Sequence, residues 1–259
     1  MQLRILVLLL VLLPTASPAS AAGLDDAQVQ ALLVEIDDRQ RNSGDWKARV
    51  FIDQKERDRN DVVYDAITYR RDSDDKLMIL FVAPRSEKGK GYLRIDKNLW
   101  FYDPRIGKWD RRTERERIGG TGSNRNDFDE SRLADEYTAR WMADEKLGRF
   151  TVHRIELKAR KGVDVAYPTL QMWIDTNTHN VLKRQDFAAS GKLLRTSYTP
   201  RWKKVMSPSK GEEVWFPDEM RIYDELEKEN RTIIAIRDVD MRELPANIFT
   251  KAWLEAKSR

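Results

Sequence analysis

Apolar and polar residues alternate with a period of two along most of this chain, and the exceptions carry as much information as the rule. From Trp46, the residues Trp46, Ala48, Val50 and Ile52 alternate with Lys47, Arg49 and Asp53, the pattern of a strand buried on one face. Further strands are predicted at Val62–Arg70 and Leu77–Val82, separated by the turn Asp72-Ser73-Asp74-Asp75 and stopped by Pro84. The stretch from Lys90 to Asp110 predicts a meander: one strand through Tyr92 and Ile95, a polar turn at Asp96-Lys97-Asn98, a second strand, and a third at Lys108–Thr113 beyond Pro104 and Gly107. Its second strand, Leu99-Trp100-Phe101-Tyr102, is apolar at every position, so both faces of the sheet need cover there.

The pattern resumes at Phe150–Lys158, Thr169–Asp175, Val181–Phe187, Leu193–Lys204, Val214–Pro217, Met220–Tyr223 and Arg231–Val239. Helical spacing marks Asp25–Arg41, with Val29, Leu32, Leu33 and Ile36 on one face and Asp25 or Asp26 as cap. A second helix is predicted at Asp129–Trp141, where Leu133, Tyr137 and Trp141 recur every four residues, and a short one, with Asn247 as its cap, through Phe249 and Leu254. The whole predicts a mainly β (α+β) protein of about eleven strands, in a barrel or strongly curved sheet with helices against it.

The N-terminus has a different character. Arg4 precedes the apolar run Ile5–Leu13, Pro14 and Pro18 break it, and Ala19-Ser20-Ala21 has the small-x-small pattern of a cleavage site. That is a signal peptide over residues 1–21, too short to span a bilayer, with the mature chain expected as one domain over 22–259. The expected address is the periplasm. Among 259 residues there is no cysteine, which excludes disulfides, thiolate metal sites, thiol catalysis and a lipid-modified N-terminal cysteine. Without the leader, 46 basic and 43 acidic residues leave a net charge of +3, a weak basis for nucleic-acid binding. A soluble monomer without nucleic acid as partner is expected.

Candidate chemistry is sparse. His153 lies in a predicted strand and His179 in a turn, neither in a catalytic motif, and no Gly-x-Ser-x-Gly occurs. The cluster Asn124-Arg125-Asn126-Asp127-Phe128-Asp129-Glu130 has oxygens at short intervals but lacks the glycine and terminal glutamate of a calcium loop; capping and turn hydrogen bonds explain it equally. Gly119-Gly120-Thr121-Gly122 has no lysine placed to cradle phosphate. The basic run Arg111-Arg112, Arg115 and Arg117 reads as a solvated edge strand or as a contact for anionic headgroups. No enzyme, metal or cofactor is expected.

Apolar binding remains. Eight tryptophans, eight tyrosines and eight phenylalanines are a large aromatic surface. Trp46, Val50, Ile52, Tyr64, Phe81, Leu93, Ile95, Trp100, Tyr102 and Trp173 fall where strands turn a face to the interior, either as packed core or as the lining of an apolar cavity. The glycine run and the aromatic stripe after it, with Phe128, Leu133 and Tyr137, read either as a lid or as a connector packed in the core.

Three motifs carry a resemblance. Gly91-Tyr92-Leu93-Arg94-Ile95 followed by Leu99-Trp100-Phe101-Tyr102-Asp103-Pro104, then Gly122-Ser123 with Asp127-Phe128, and finally Phe249-Thr250 with Leu254 resemble the outer-membrane lipoprotein-sorting protein family, the LolA-like carriers. The resemblance covers nearly all of the mature chain. Family members usually have Gly-Ser-Asp-Phe as one run, whereas Asn124-Arg125-Asn126 intervenes here and makes the loop longer and more polar. The resemblance implies an incomplete antiparallel barrel of about eleven strands with helices closing its open side. It further implies a periplasmic carrier that shields lipid or lipoprotein acyl chains and meets an inner-membrane transporter. A second reading from another class is a periplasmic sensor or adaptor that binds a membrane transporter or regulator.

Overall fold

The computed structural model describes residues 23–41, 44–95, 98–112, 117–122 and 131–258. Residues 1–21, expected as a signal peptide, the Asp96-Lys97 turn residues, and the Asn124–Glu130 cluster with Phe128 lie outside the described residues. Helix α1, Asp26–Arg41, begins with reciprocal capping: the Gln28 amide donates to Asp25 Oδ1 at 2.8 Å and the Asp25 amide to Gln28 Oε1 at 2.9 Å. Both amides would otherwise lack a helical partner.

Thirteen strands form one antiparallel sheet: β1 (Asp45–Lys55), β2 (Val62–Arg71), β3 (Lys76–Ala83), β4 (Gly91–Ile95), β5 (Asn98–Asp103), β6 (Lys108–Arg112), β7 (Tyr137–Leu147), β8 (Phe150–Ala159), β9 (Thr169–Asp175), β10 (Val181–Phe187), β11 (Leu193–Ser207), β12 (Glu212–Asp224) and β13 (Arg231–Asp240). Their order is β6-β5-β4-β3-β2-β1-β13-β12-β11-β10-β9-β8-β7. Two meanders, β1–β6 and β7–β13, are thus joined through the β1·β13 ladder. Strands β6 and β7 are the two edges, and the sheet does not close.

The count corrects the expected eleven, and one element is of the wrong type in the sequence reading. Only Leu133–Glu136 is helical (α2, one turn), and Tyr137–Leu147 is strand β7, not the continuation of a helix from Asp129. Tyr137, Ala139 and Trp141 are separated by two as well as lying in a stripe with spacing four, and β8 offers a full ladder from Tyr137↔Ala159 to Leu147↔Phe150. Ladder hydrogen bonds and an aromatic-rich, half-buried surface decide such a tie for the strand. The segments Val214–Pro217 and Met220–Tyr223 are one strand, β12, whose register with β11 shifts on both sides of Arg201, next to the Trp202↔Pro217 pair. A proline without an amide is accommodated where the ladder is already irregular.

Register traces a single face across the sheet: Trp141↔Ile155, Ile155↔Met172, Met172↔Arg184, Arg184↔Ser197, Ser197↔Ile222, Ile222↔Thr232 and Thr232↔Gln54. Helix α1 packs on this face, burying Val29, Leu32, Leu33 and Ile36 against Ile155, Leu157, Leu170 and Met172; it is called the inner face below. The opposite, outer face carries the C-terminal elements. A 3₁₀ turn (Ala246–Phe249) and helix α3 (Lys251–Lys257) bury Ile248, Phe249 and Leu254 against Tyr69, Met78, Leu80, Leu93 and Tyr102. Thr250, not Asn247, caps α3, its hydroxyl accepting from the Trp253 amide at 3.2 Å.

Candidate functional site

The inner face is not uniformly apolar. Between the part under α1 and the rest, the fully buried Asp186 accepts from Arg184 Nε at 2.6 Å and Arg195 Nε at 2.8 Å. At the far corner Arg70 bonds Asp72 and Asp75 at 2.8 and 2.9 Å, and the buried Arg94 also reaches Asp75. Charges held this way out of water are paired, as burial requires. Between these two clusters lies the candidate site, an apolar stretch over β1–β5, β12 and β13.

Its walls follow from two-residue alternation and register. Ala48, Val50 and Ile52 of β1 lie beside Ile234 and Ile236 of β13 and Ala66 of β2. From there an aromatic row crosses four strands: Tyr64 meets Phe81 at 5.7 Å between ring centres, Phe81 meets Tyr92 at 6.2 Å, and Tyr92 meets Phe101 at 5.0 Å. Edge-on and tilted contacts at these separations are the favourable ones for aromatic quadrupoles. At the other end Trp46 and Phe216 meet edge to face at 5.2 Å, with Met241 in the same cluster. Burial pushes the Tyr64 hydroxyl above its ordinary range, which fits a poorly solvated surface.

A strap covers part of this stretch. The 3₁₀ turn Ile118–Gly120 continues to Gly122 across the inner face: the Gly119 amide donates to the Tyr92 hydroxyl at 2.9 Å, and the Gly122 amide to Thr232 Oγ1 at 2.8 Å and Gln54 Oε1 at 3.1 Å. Ile118 is buried against Phe81 and Tyr92. The glycines have local reasons. Gly119 has φ +61°, and a Cβ on Gly122 would stand 2.7 Å from Thr232 Oγ1. Further on, Asp37 of α1 accepts from Ser131 Oγ at 2.5 Å and from the amides of Leu133 and Ala134 at 3.0 and 2.8 Å. The connection between the edge strands is therefore fastened at one described end to the inner face and at the other to α1.

A family model that carries the description "Uncharacterized protein" matches residues 73–256. No curated protein matches the chain in sequence. Among solved structures, a domain described as an outer membrane lipoprotein-sorting protein from Vibrio parahaemolyticus is 19% identical, covers 87% of this chain and 97% of its own, and superposes with a TM-score of 0.75. A LolA superfamily protein from Nitrosomonas europaea is 20% identical over 86% of this chain and 98% of its own, with a TM-score of 0.69. A DUF1329 family protein from Desulfovibrio piger is 18% identical over 89% and 100%, with a TM-score of 0.77. The chain belongs to the matched family, and its fold is LolA-like.

In this LolA-like chain the ten residues expected to line a cavity divide between two faces. Trp46, Val50, Ile52, Tyr64 and Phe81 are together on the inner face. Leu93, Ile95, Trp100, Tyr102 and Trp173 are on the outer one: Leu93 and Tyr102 are buried beneath α3 and the 3₁₀ turn before it, Ile95 packs beside them, and Trp173 joins Val152 and Leu182. Trp100 pairs with Leu93 in register and has Lys251 Nζ 3.7 Å from its ring centre. Leu133 and Tyr137 are packed with α1, and the Tyr137 hydroxyl donates to the Tyr167 carbonyl at 3.0 Å. The inner-face residues Tyr92, Phe101, Ile118, Phe216 and Met241 were not among those expected to line a cavity. Alternation within β4 and β5 separates Tyr92 and Phe101 from Leu93 and Trp100, but only cross-strand register and the covering elements say which set is inner.

Two open recesses among the described residues, of about 410 and 560 Å³, have charged linings. The first is formed by Glu56, Arg57, Arg59, Arg117 and Glu227, the second by Tyr198, Tyr223, Arg221, Glu225 and Lys228. His153 Nδ1 is paired with Asp144 at 2.6 Å and His179 Nδ1 with Glu35 at 2.8 Å. No group of three potential metal ligands occurs among the described residues. On the apolar stretch itself Phe216, Met241 and Ile118 occupy the space above the sheet, so a hydrocarbon guest would have to take the place of protein side chains.

Proposed function

We propose that this protein is a non-enzymatic periplasmic carrier that holds acyl chains of a lipid or lipoprotein on the inner face between β1, β13 and β5. One observation carries the reading: an apolar stretch of the inner face, on an open LolA-like sheet, whose cover is side chains and a strap held by three hydrogen bonds from two backbone amides to side chains. The structural neighbour described as a lipoprotein-sorting domain supports the same class of cargo. The export signal read from residues 1–21 supports the address.

The magnitudes are consistent with a whole face rather than a small pocket. Removing a sixteen-carbon chain from a bilayer costs on the order of 12 kcal/mol at about 0.8 kcal/mol per methylene. Displacing Phe216, Met241 and the strap exposes an apolar surface of the right kind to offset that cost. Delivery to an acceptor follows from the same exchange, since the protein's own side chains return as the guest leaves.

The test is organic extraction of purified mature protein followed by mass spectrometry, together with uptake of a fluorescent fatty acid. Recovered acyl lipid or saturable uptake supports the carrier; an empty extract with no uptake removes it.

A further inference from the structure

The corner of the outer face formed by the β5–β6 hairpin and α3 has a composition that the carrier reading does not use. At the hairpin tip Ile106 is 66% exposed, the highest value among the exposed large apolar residues described. It is flanked by Arg105 and by Gly107, whose φ is +68° and around which a Cβ would meet nothing within 4 Å. Register puts Trp109 across from Tyr102 and Arg111 across from Trp100 on the outer face. Lys251 of α3 stands 3.7 Å from the ring centre of Trp100 and 5.2 Å from that of Trp109. Trp109 Nε1 donates to Glu255 at 2.6 Å.

The charges are arranged asymmetrically. Of the acidic groups here, Asp103 pairs with Arg105 at 2.8 Å and Glu255 accepts a hydrogen bond from Trp109, while register puts Asp110 on the inner face. On the outer face Arg111 is exposed, and among the described residues neither it nor Lys251, which stands over the ring faces, has an ion pair. An exposed aliphatic tip, two half-exposed indoles and cations at their rim are the parts that stabilise a surface at the headgroup boundary of a bilayer.

We propose that this corner docks the protein on an anionic lipid surface, with Ile106 entering the interface, Trp100 and Trp109 at headgroup level, and Arg111 and Lys251 facing lipid phosphates. A phosphodiester headgroup matches both cations. The docking face is opposite to the face assigned to acyl chains, so the two activities are separable.

The experiment is co-sedimentation of the mature protein with vesicles of phosphatidylcholine alone and with one part phosphatidylglycerol to two of phosphatidylcholine. Binding is expected only to the anionic vesicles, weakening as salt is raised, with a blue shift of tryptophan emission. Arg111→Glu with Lys251→Glu should weaken it about twenty-fivefold, taking each cation as worth about fivefold. Ile106→Ser should weaken it about tenfold. Lys161→Glu, an exposed site on another loop, should leave it unchanged. Equal binding to neutral vesicles, no binding to either kind, or an equal loss in Lys161→Glu would overturn the proposal, as would vesicle refusal alongside binding to an acidic protein. If the double variant does not fold, Ile106→Ser and the emission shift decide. Vesicle binding without fatty-acid uptake would keep this proposal and remove the carrier reading; the reverse result would do the opposite.

Discussion

The Gly119 amide donates to the Tyr92 hydroxyl at 2.9 Å, a hydrogen bond between the connection of the two edge strands and the middle of the inner face. It ties the strap to the aromatic row, since Tyr92 also meets Phe81 and Phe101. Tyr92→Phe keeps the ring contacts and leaves that amide without its acceptor. The expected cost is about 1 kcal/mol of stability, with faster exchange of the Gly119 amide and faster uptake of a fluorescent fatty acid. Hydrogen exchange read by mass spectrometry checks the first effect, and stopped-flow fluorescence the second. Unchanged exchange would mean that the strap is held elsewhere.

Asp37 anchors the other described end of the connection. Asp37→Ala removes the acceptor of two backbone amides and of Ser131 Oγ. Because those amides are buried, the expected loss is about 2–3 kcal/mol. A shift of the urea midpoint without a change in slope measures it.

Burial pushes the Tyr137 hydroxyl up to about 12. A raised value means that the folded state keeps its proton after the unfolded chain has lost it. The stabilisation is fully present below about pH 10 and is lost as pH rises from there through about 12. Denaturant midpoints should fall across that window, by up to about 2 kcal/mol from this group. Tyr137→Phe should flatten that part of the curve while lowering stability at neutral pH, because the hydrogen bond to the Tyr167 carbonyl is lost.

Faces can be told apart by paired truncations. Phe216→Ala on the inner face and Leu93→Ala beneath the C-terminal elements both remove buried bulk, and each should cost about 2–5 kcal/mol. Only the first opens space above Trp46. It should raise the amount of fatty acid bound, whereas Leu93→Ala should leave uptake at the wild-type level once the fraction folded is taken into account. Equal effects of the two would argue against the inner face as the site.

Local pattern was sufficient wherever a single period dominated. The α1 stripe of Val29, Leu32, Leu33 and Ile36 and the alternation of Ala48, Val50 and Ile52 needed no knowledge of distant residues, because burial of one face has the same signature in any context. Tyr137 and Trp141 were ambiguous because a spacing of four satisfies both a helix and a strand, and β8 resolved it by offering hydrogen bonds.

Local pattern alone placed most of the strands and the turns between them, and showed that aromatic residues are too many for a thin core. Which aromatics face one another was decided only by the tertiary structure. A strand states that Tyr92 and Leu93 point to opposite sides, but inside and outside are properties of the sheet. They depend on the ladders between β1 and both β2 and β13, and on α1 and the strap covering one side while α3 covers the other.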